Sequence, residues 1–491
     1  MTLSYRILRN GVLNLPRPSP TSKTVAENLL LKDAQSFHCY FRSAGLHNHL
    51  GHHILAAYDL GVTPGHLQKI YDDEAKTQRP IIPEETGKDI VVDSENWIQY
   101  LGNASAYAAF VTFFSENVKK YGVLKSLDEF IFSSAANDNN ANMLIRLMSG
   151  ALHPFIQIGY GLEFGDDTLV ATGLAQTAIH VPLSSELFMF ENSSQAVKND
   201  VSRKRTPSRG LSMLEILRQV YDSPVLKPVM PYDNNALMSA RIKDVLKDGR
   251  PEEIRRICSQ FYVDESVGDA EMKVKVEEFM WTATLLLFST GKEGRKPRLD
   301  FFLMHLVTSS IFLPSYLRVL QNSKDKVKLL HAYLPIMILL TLTRGRPIIK
   351  PDLLMNATDR PRPPFKPDSV FKMDKDQTAI GNPAEDEDYN PWPALIQSAT
   401  HAPDSHVLKT MRTLVFAARE YGDTQAGGVI GAKDVKGQET HPGIEKLDGS
   451  AFVRAAGMLM NYMGWTGYGE SARPDWDRSA LGWDAAWKDE D

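Results

Sequence analysis

The sequence predicts a large all-α protein, a multi-helix single chain. Three observations carry this. Apolar residues recur at three- and four-residue spacing through most of the chain. Alternating strands bounded by turn dipeptides are scarce, and no repeat of fixed period occurs. The composition, 43% hydrophobic and 23% charged over 491 residues, is that of an ordinary globular protein long enough for a sizeable core.

In chain order, helical spacing is expected over residues 24–33, 37–60, 64–77 and 96–121. Thr63-Pro64 is a good start for the third of these, a capping hydroxyl followed by Pro at the first helical position. The pattern continues at 139–149, 154–164, 168–182, 211–221, 236–247 and 251–262. It resumes at 271–290, 299–316, 325–343, 404–421 and 447–463. The string LLHAYLPIMILLTL is too short to span a bilayer and reads as a buried helix. Three stretches read as loops: 192–210, with the basic cluster Arg203, Lys204, Arg205 and Arg209; 351–390, rich in Pro and charge; and 422–446, rich in Gly. Residues 1–350 are therefore expected to form the main body and 351–390 a surface connection. Residues 391–491 are expected to be C-terminal helices and a Trp-bearing tail packed on the same body.

The formal net charge is −5, from 55 basic and 60 acidic residues, which gives no reason to expect a nucleic acid or an anionic membrane as partner. Two cysteines, Cys39 and Cys258, exclude a disulfide framework and a Cys-rich zinc site. The opening residues lack the long apolar core of a signal peptide, so a cytoplasmic protein is the expectation. No Gly-x-Gly-x-x-Gly follows a strand and no Walker A loop occurs, which argues against a dinucleotide or nucleotide fold. A nucleophile elbow is absent. The zinc-protease string needs Glu after its first His, but position 50 is Leu. None of the histidines has Glu three residues before it, which removes the helical di-iron motif.

The histidines remain. Four of thirteen fall within seven residues, His47, His49, His52 and His53 in HNHLGHH, ahead of the apolar run from Ile54 to Leu60. On a helix His49 and His53 share a face, and two imidazoles at that spacing can grip one metal ion. A His-rich surface helix reads the same string. His305 sits in FFLMHLVTSS, a helix apolar on nearly every side, where a buried imidazole needs a partner for its nitrogens; a carbonyl or hydroxyl would also serve. His153 precedes Pro154 and so stands at a helix entrance. His406 and Lys409, three apart, share a face that is either solvated or turned inward. A desolvated lysine loses its charge readily, and a neutral amine reacts with carbon dioxide to give a carbamate, an anionic oxygen ligand. His180 and His331 are weaker candidates, and His38, His66, His401 and His441 read as structural or surface residues.

Five strings, HNHLGHHILAAYDLGVTP, SGALHPFIQIGYGLEF, LAQTAIH, RLDFFLMHLVTS and DSHVLKTMRTL, stand in one order from about residue 38 to 421. In them the chain resembles the questin oxidase-like family of fungal and bacterial oxygenases. The resemblance implies oxidative ring cleavage of an anthraquinone-type substrate in aromatic polyketide secondary metabolism. Two chemistries go with it: a Baeyer–Villiger oxidation using NADPH, and a dioxygenase reaction at mononuclear non-heme Fe(II) with O2 as co-substrate. The absence of a dinucleotide motif favours iron, with NADPH left open. The ligands implied are His49, His53, His153 and His305 with Lys409 as the carbamate, and His406 as the rival for one place. Phe155, Tyr160, Phe301 and Phe302 could line a pocket for a flat substrate, helix core being their other reading. The competing functions are an NADPH-dependent Baeyer–Villiger monooxygenase, a His-liganded zinc hydrolase, and a non-catalytic polyketide-binding helical protein.

Overall fold

The computed structural model describes residues 3–40, 46–81, 89–183, 185–188, 210–364, 380–382 and 384–488. The basic cluster at Arg203–Arg209 and the middle of the 351–390 connection lie outside the described residues. Among those described the chain is helical without a sheet, and strand-like pairing is limited to isolated bridges such as Tyr40–His47 and Asp300–Asp477. The first helices are α1 (Thr21–Ser36), α2 (Leu50–Asp59), α3 (Pro64–Glu74), α4 (Tyr107–Tyr121), α5 (Val123–Leu127), α6 (Met143–Leu147), α7 (Ser149–Phe164) and α8 (Asp167–Ile179). Then come α9 (Met213–Asp222), α10 (Met238–Val245), α11 (Arg250–Cys258), α12 (Asp269–Phe288), α13 (Phe301–Ser310), α14 (Leu313–Val319) and α15 (Ser323–Thr343). The last are α16 (Pro351–Met355), α17 (Trp392–Ala399), α18 (Ser405–Tyr421) and α19 (Ala451–Met463).

Several boundaries differ from the sequence expectation for local reasons. The helix expected over 37–60 begins only at Leu50. Phe37 bridges Pro80 and Tyr40 bridges His47, pairings a helix through these residues could not make, and the Asn48 side chain accepts the Leu50 amide at 2.8 Å to start α2. The segment 96–121 breaks at Gly102 (φ 81°) and Asn103, whose side chain caps a short 3₁₀ turn before α4. The segment 299–316 divides into α13 and α14, the second with Pro in its first turn. α17, unforeseen, starts on Pro391 and carries Pro393 in its first turn.

Four helices meet at the centre: α18 packs on α2 and α13, and α7 on α2 and α13. One buried ion network fastens three of them. Arg412 of α18 donates to Asp59 at the end of α2 (2.8 Å) and to Glu163 near the end of α7. The same carboxylates accept the backbone amides of Val12 (2.7 Å), Leu13 (3.1 Å) and Asn14 (2.7 Å), which ties the N-terminal segment to the same point. Residues 301–319 and α15 are long and apolar enough to cross a membrane, but 78% of each such window is buried within the protein, as expected of core helices.

Candidate metal centre

α2, α7, α13 and α18 each contribute one imidazole to a closed circuit of rings. Centroids lie 4.8 Å apart for His49–His153, 5.0 Å for His153–His305, 5.1 Å for His305–His406 and 4.5 Å for His406–His49. His49 Nε2 and His153 Nε2 are 2.7 Å apart, and one ring nitrogen each of His49, His153 and His406 falls within 4.8 Å of the others.

Each wall is set locally. His49 is the N-cap of α2, one residue before its first turn. His153 follows three residues in the left-handed region, Gly150 (φ 56°), Ala151 (φ 53°) and Leu152 (φ 67°). A side chain at such a φ costs about 1–3 kcal/mol, and this cost turns the chain so that Pro154 starts the right-handed helix and His153 enters the centre. Gly150 is also required by space: a Cβ there would lie 2.4 Å from His180 Nε2. His305 is held by α13, which is buried from Leu303 to Ser310. His406 lies in the first turn of α18, whose N-cap is Asp404.

In three of the four rings a fixed acceptor takes Nδ1 and leaves Nε2 for the centre. His153 Nδ1 donates to the Gly150 carbonyl, His305 Nδ1 to the Phe301 carbonyl (2.7 Å) and His406 Nδ1 to Asp404 Oδ1 (2.7 Å). Nε2 of His305 and of His406 is buried with no hydrogen-bond partner. An imidazole oriented from behind by a carbonyl or carboxylate, with its other nitrogen bare, is the usual state of a metal ligand. An orphaned buried nitrogen is otherwise costly. The donor set therefore fits a transition-metal ion that accepts imidazole.

Burial is the largest cause holding all four rings below their ordinary pKa, and the Lys409 ammonium adds to it in each. The rings are thus neutral at pH 7, as ligands must be. Lys409 is itself buried, and no hydrogen bond to its Nζ occurs among the described residues. Burial brings its amine down to about 8, against the pull of Asp404 and Glu74. Burial would raise Asp404, but His406, its two hydrogen bonds and Lys409 hold this carboxyl well below the usual range.

These shifts fix a pH dependence. In the unfolded chain the four imidazoles take protons near their ordinary pKa, whereas in the folded protein they do so only at lower pH. The stability they contribute is present above about pH 6.5 and is lost as pH falls below it. Thermal melts of metal-free protein should show a steeper decline between pH 6.5 and 5 than a His153→Phe variant shows.

His53 is not in the circuit. Its Nδ1 meets Glu74 Oε1 on α3 at 2.6 Å, so it and His49 turn to different partners although their helical spacing suits one ion. His53 Nε2 is buried and unpartnered. His406, the rival in the sequence reading, stands instead beside His49. Of the aromatic residues expected around the site, Phe301 touches His305 and His406 (centroids 4.8 and 5.3 Å), and Tyr160 stacks on His52 at 5.0 Å. Phe155 is core, stacked on Tyr316 at 4.4 Å, and Phe302 lies beneath Arg344.

Two supports stand around the circuit, one through His180, a weaker candidate in the sequence, and one in the tail that sequence reasoning missed. His47 and His180 pair through Nε2 at 2.9 Å, and His47 stacks on His153 at 4.3 Å. The C-terminal tail closes the other side. Trp476 donates its indole N–H to Asp404 Oδ2 at 2.9 Å, Phe301 donates its amide to the Asp477 carbonyl at 2.8 Å, and Arg478 lies over the Phe301 ring at 4.3 Å. Trp476 is thus a positioning residue for His406 through Asp404. Trp476→Phe should weaken metal binding roughly tenfold, at the low end for a group that orients a ligand. Competition with a chelator measures this, and the melting temperature of the metal-free protein should barely move.

Residues 46–414 match the family described as questin oxidase-like. Among similar proteins, Baeyer-Villiger oxidase ptaJ of Pestalotiopsis fici is 30% identical over 314 residues, covering 63% of this chain and 66% of its own. Questin oxidase of Aspergillus fumigatus is 30% identical over 308 residues, covering 62% and 66%. Oxidoreductase AflY of Aspergillus parasiticus is 27% identical over 398 residues, covering 80% and 72%. The chain thus spans just under two thirds of the length of the first two relatives.

Proposed function

Since the chain belongs to the questin oxidase-like family, we propose that it is an oxidoreductase that uses O2 to cleave a ring of an anthraquinone-type aromatic polyketide at a mononuclear non-heme iron centre. The closed circuit of His49, His153, His305 and His406 carries this reading, because it sets neutral imidazoles from four helices side by side, with nitrogens of His49, His153 and His406 within 4.8 Å of one another. The relatives named for questin oxidation and Baeyer–Villiger oxidation support the reaction class and the substrate class.

These four residues would hold the ion. Iron bound there supplies the one-electron chemistry that lets dioxygen react with a closed-shell aromatic compound. The rest is the work of this chain. Gly150, Phe301 and Asp404 fix three ring orientations before any ligand arrives. Because the rings are neutral, an ion held by them would keep its positive charge, offset only by the single anion that Lys409 would add. Phe301 and the tail above it exclude water from the His305–His406 side.

Lys409 supplies the anionic ligand that the four rings lack. Its neutral amine bonds to the carbon of CO2 as one C=O electron pair moves to oxygen, the nitrogen's proton passes to water, and the resulting carbamate would offer an oxygen to the centre. Its burial and lowered pKa support this step. Isotopically labelled bicarbonate should give a carbamate carbon resonance in wild type and none in Lys409→Met.

The names of several relatives favour a second reading, a Baeyer–Villiger monooxygenase that draws electrons from NADPH. Oxygen uptake on a hydroxylated anthraquinone separates the two. Iron-loaded protein should consume O2 without NADPH, and chelation should stop it. Uptake that needs NADPH and survives chelation would establish the second reading, and product formed without O2 uptake would make the protein a hydrolase.

A further inference from the structure

A cavity of about 250 Å3 opens between α1, α2, α4 and α8, beside the His52 end of the His49–His52 turn. It is at the small end of small-molecule sites. Its mouth is formed by exposed residues of the turn before α4 and of α4 itself, among them Ala108 and Thr112. Leu30 and Val111 give it apolar walls, and its floor is His52, Gln157 and Gln176. None of the four aromatic residues singled out in the sequence lines it.

The floor has a definite hydrogen-bond polarity. Gln157 Nε2 donates to Thr172 Oγ1 (3.0 Å), so Gln157 Oε1 is the acceptor for His52 Nε2–H at 2.7 Å. That fixes the His52 tautomer and leaves Nδ1 as a bare acceptor. Both His52 Nδ1 and Gln176 Oε1 are buried without a partner, in side chains only 2% and 6% exposed. Asp33, whose Oδ1 accepts Asn48 Nδ2 at 2.8 Å, lines the wall above them. The cavity thus offers two unpartnered acceptors and, in Ser115, an unpartnered hydroxyl that can donate or accept, framed by apolar surface. A flat aromatic molecule bearing phenolic hydroxyls would satisfy both features. The floor also adjoins the metal centre, the His52 and His49 rings being 6.0 Å apart.

We propose that this cavity is the substrate chamber: a neutral hydroxylated polycyclic quinone enters past Ala108 and Thr112, its hydroxyls donate to Gln176 and His52, and its leading ring faces His49. The assignment rests on the substrate class proposed above and adds where that substrate sits and which groups select it.

A dihydroxyanthraquinone and its dimethyl ether, titrated by visible absorption against the full chain, test it. Wild type should bind the dihydroxy compound at least tenfold more tightly than the ether. Ala108→Trp and Thr112→Trp, both at exposed positions, should each weaken that binding at least tenfold with metal content unchanged, and Gln176→Leu should reduce the preference for hydroxyl over ether. If wild type binds and both tryptophan variants bind as well, the ligand lies elsewhere and the chamber is overturned while the substrate class stands. If wild type binds neither compound, the substrate class fails and the chamber with it.

Discussion

Arg412→Ala is expected to cost about 3–5 kcal/mol of folding stability, the amount lost when one partner of a buried ion pair is removed. The cause is the pair of carboxylates left behind. Asp59 and Glu163 are fully buried, and without the guanidinium they lose the one cation that hydrogen-bonds both of them. Burial already pushes Glu163 up to about 7 with Arg412 in place. A domain with roughly 5–15 kcal/mol of total stability would be left marginal. Urea unfolding measures the loss. Adding Asp59→Asn and Glu163→Gln to the variant should restore part of it, because these amides remove the buried charge while keeping an acceptor for Val12 and for one of Leu13 and Asn14. The consequence reaches the centre: Arg412 joins the helices that carry His49, His153 and His406, so the variant should also hold metal more weakly than wild type.

His305→Ala and His406→Ala are expected to have the largest effect on activity. Each removes one ring of the circuit and breaks two of its four contacts. Groups that merely orient a ligand cost ten- to a hundredfold in metal affinity, so losing a ligand should cost more than about a hundredfold and take turnover with it. Neither variant should unfold the protein. The Nε2 atoms of these rings have no partner to lose, and truncation at one site costs at most about 2–5 kcal/mol for a large buried side chain. Metal stoichiometry after dialysis, beside a circular dichroism spectrum, separates a lost ligand from a lost fold. Two variants that keep wild-type metal would remove both residues from the ligand set.

Much of this architecture was legible where local rules decide it. α3 was announced by Thr63-Pro64, α18 by its apolar spacing behind Asp404, and α15 by its uniform apolarity. The start of α2 was hidden because the residues before it follow tertiary pairing with Pro80 and His47 rather than their helical spacing. His153 and His305 stood out through a Pro-marked helix entrance and an imidazole in an apolar run. His53 stands apart from the circuit because helical spacing fixes only which side chains share a face, and Glu74 takes its Nδ1 from a neighbouring helix. The left-handed turn at Ala151 and Leu152 has no sequence mark beyond Gly150, since it is imposed by the packing around it. Trp476 could not be linked to Asp404 at all: 72 residues separate them, and the tail has no periodicity to place it.

The central claim is that four imidazoles from four helices hold one catalytic ion. Metal analysis of wild-type protein, purified without oxygen and reconstituted with Fe(II), tests it most directly. Roughly one tightly held iron per chain is predicted, falling to near zero in His305→Ala and His406→Ala. Wild-type protein that retains no transition metal after reconstitution, yet still consumes O2 on a hydroxylated anthraquinone, would contradict it.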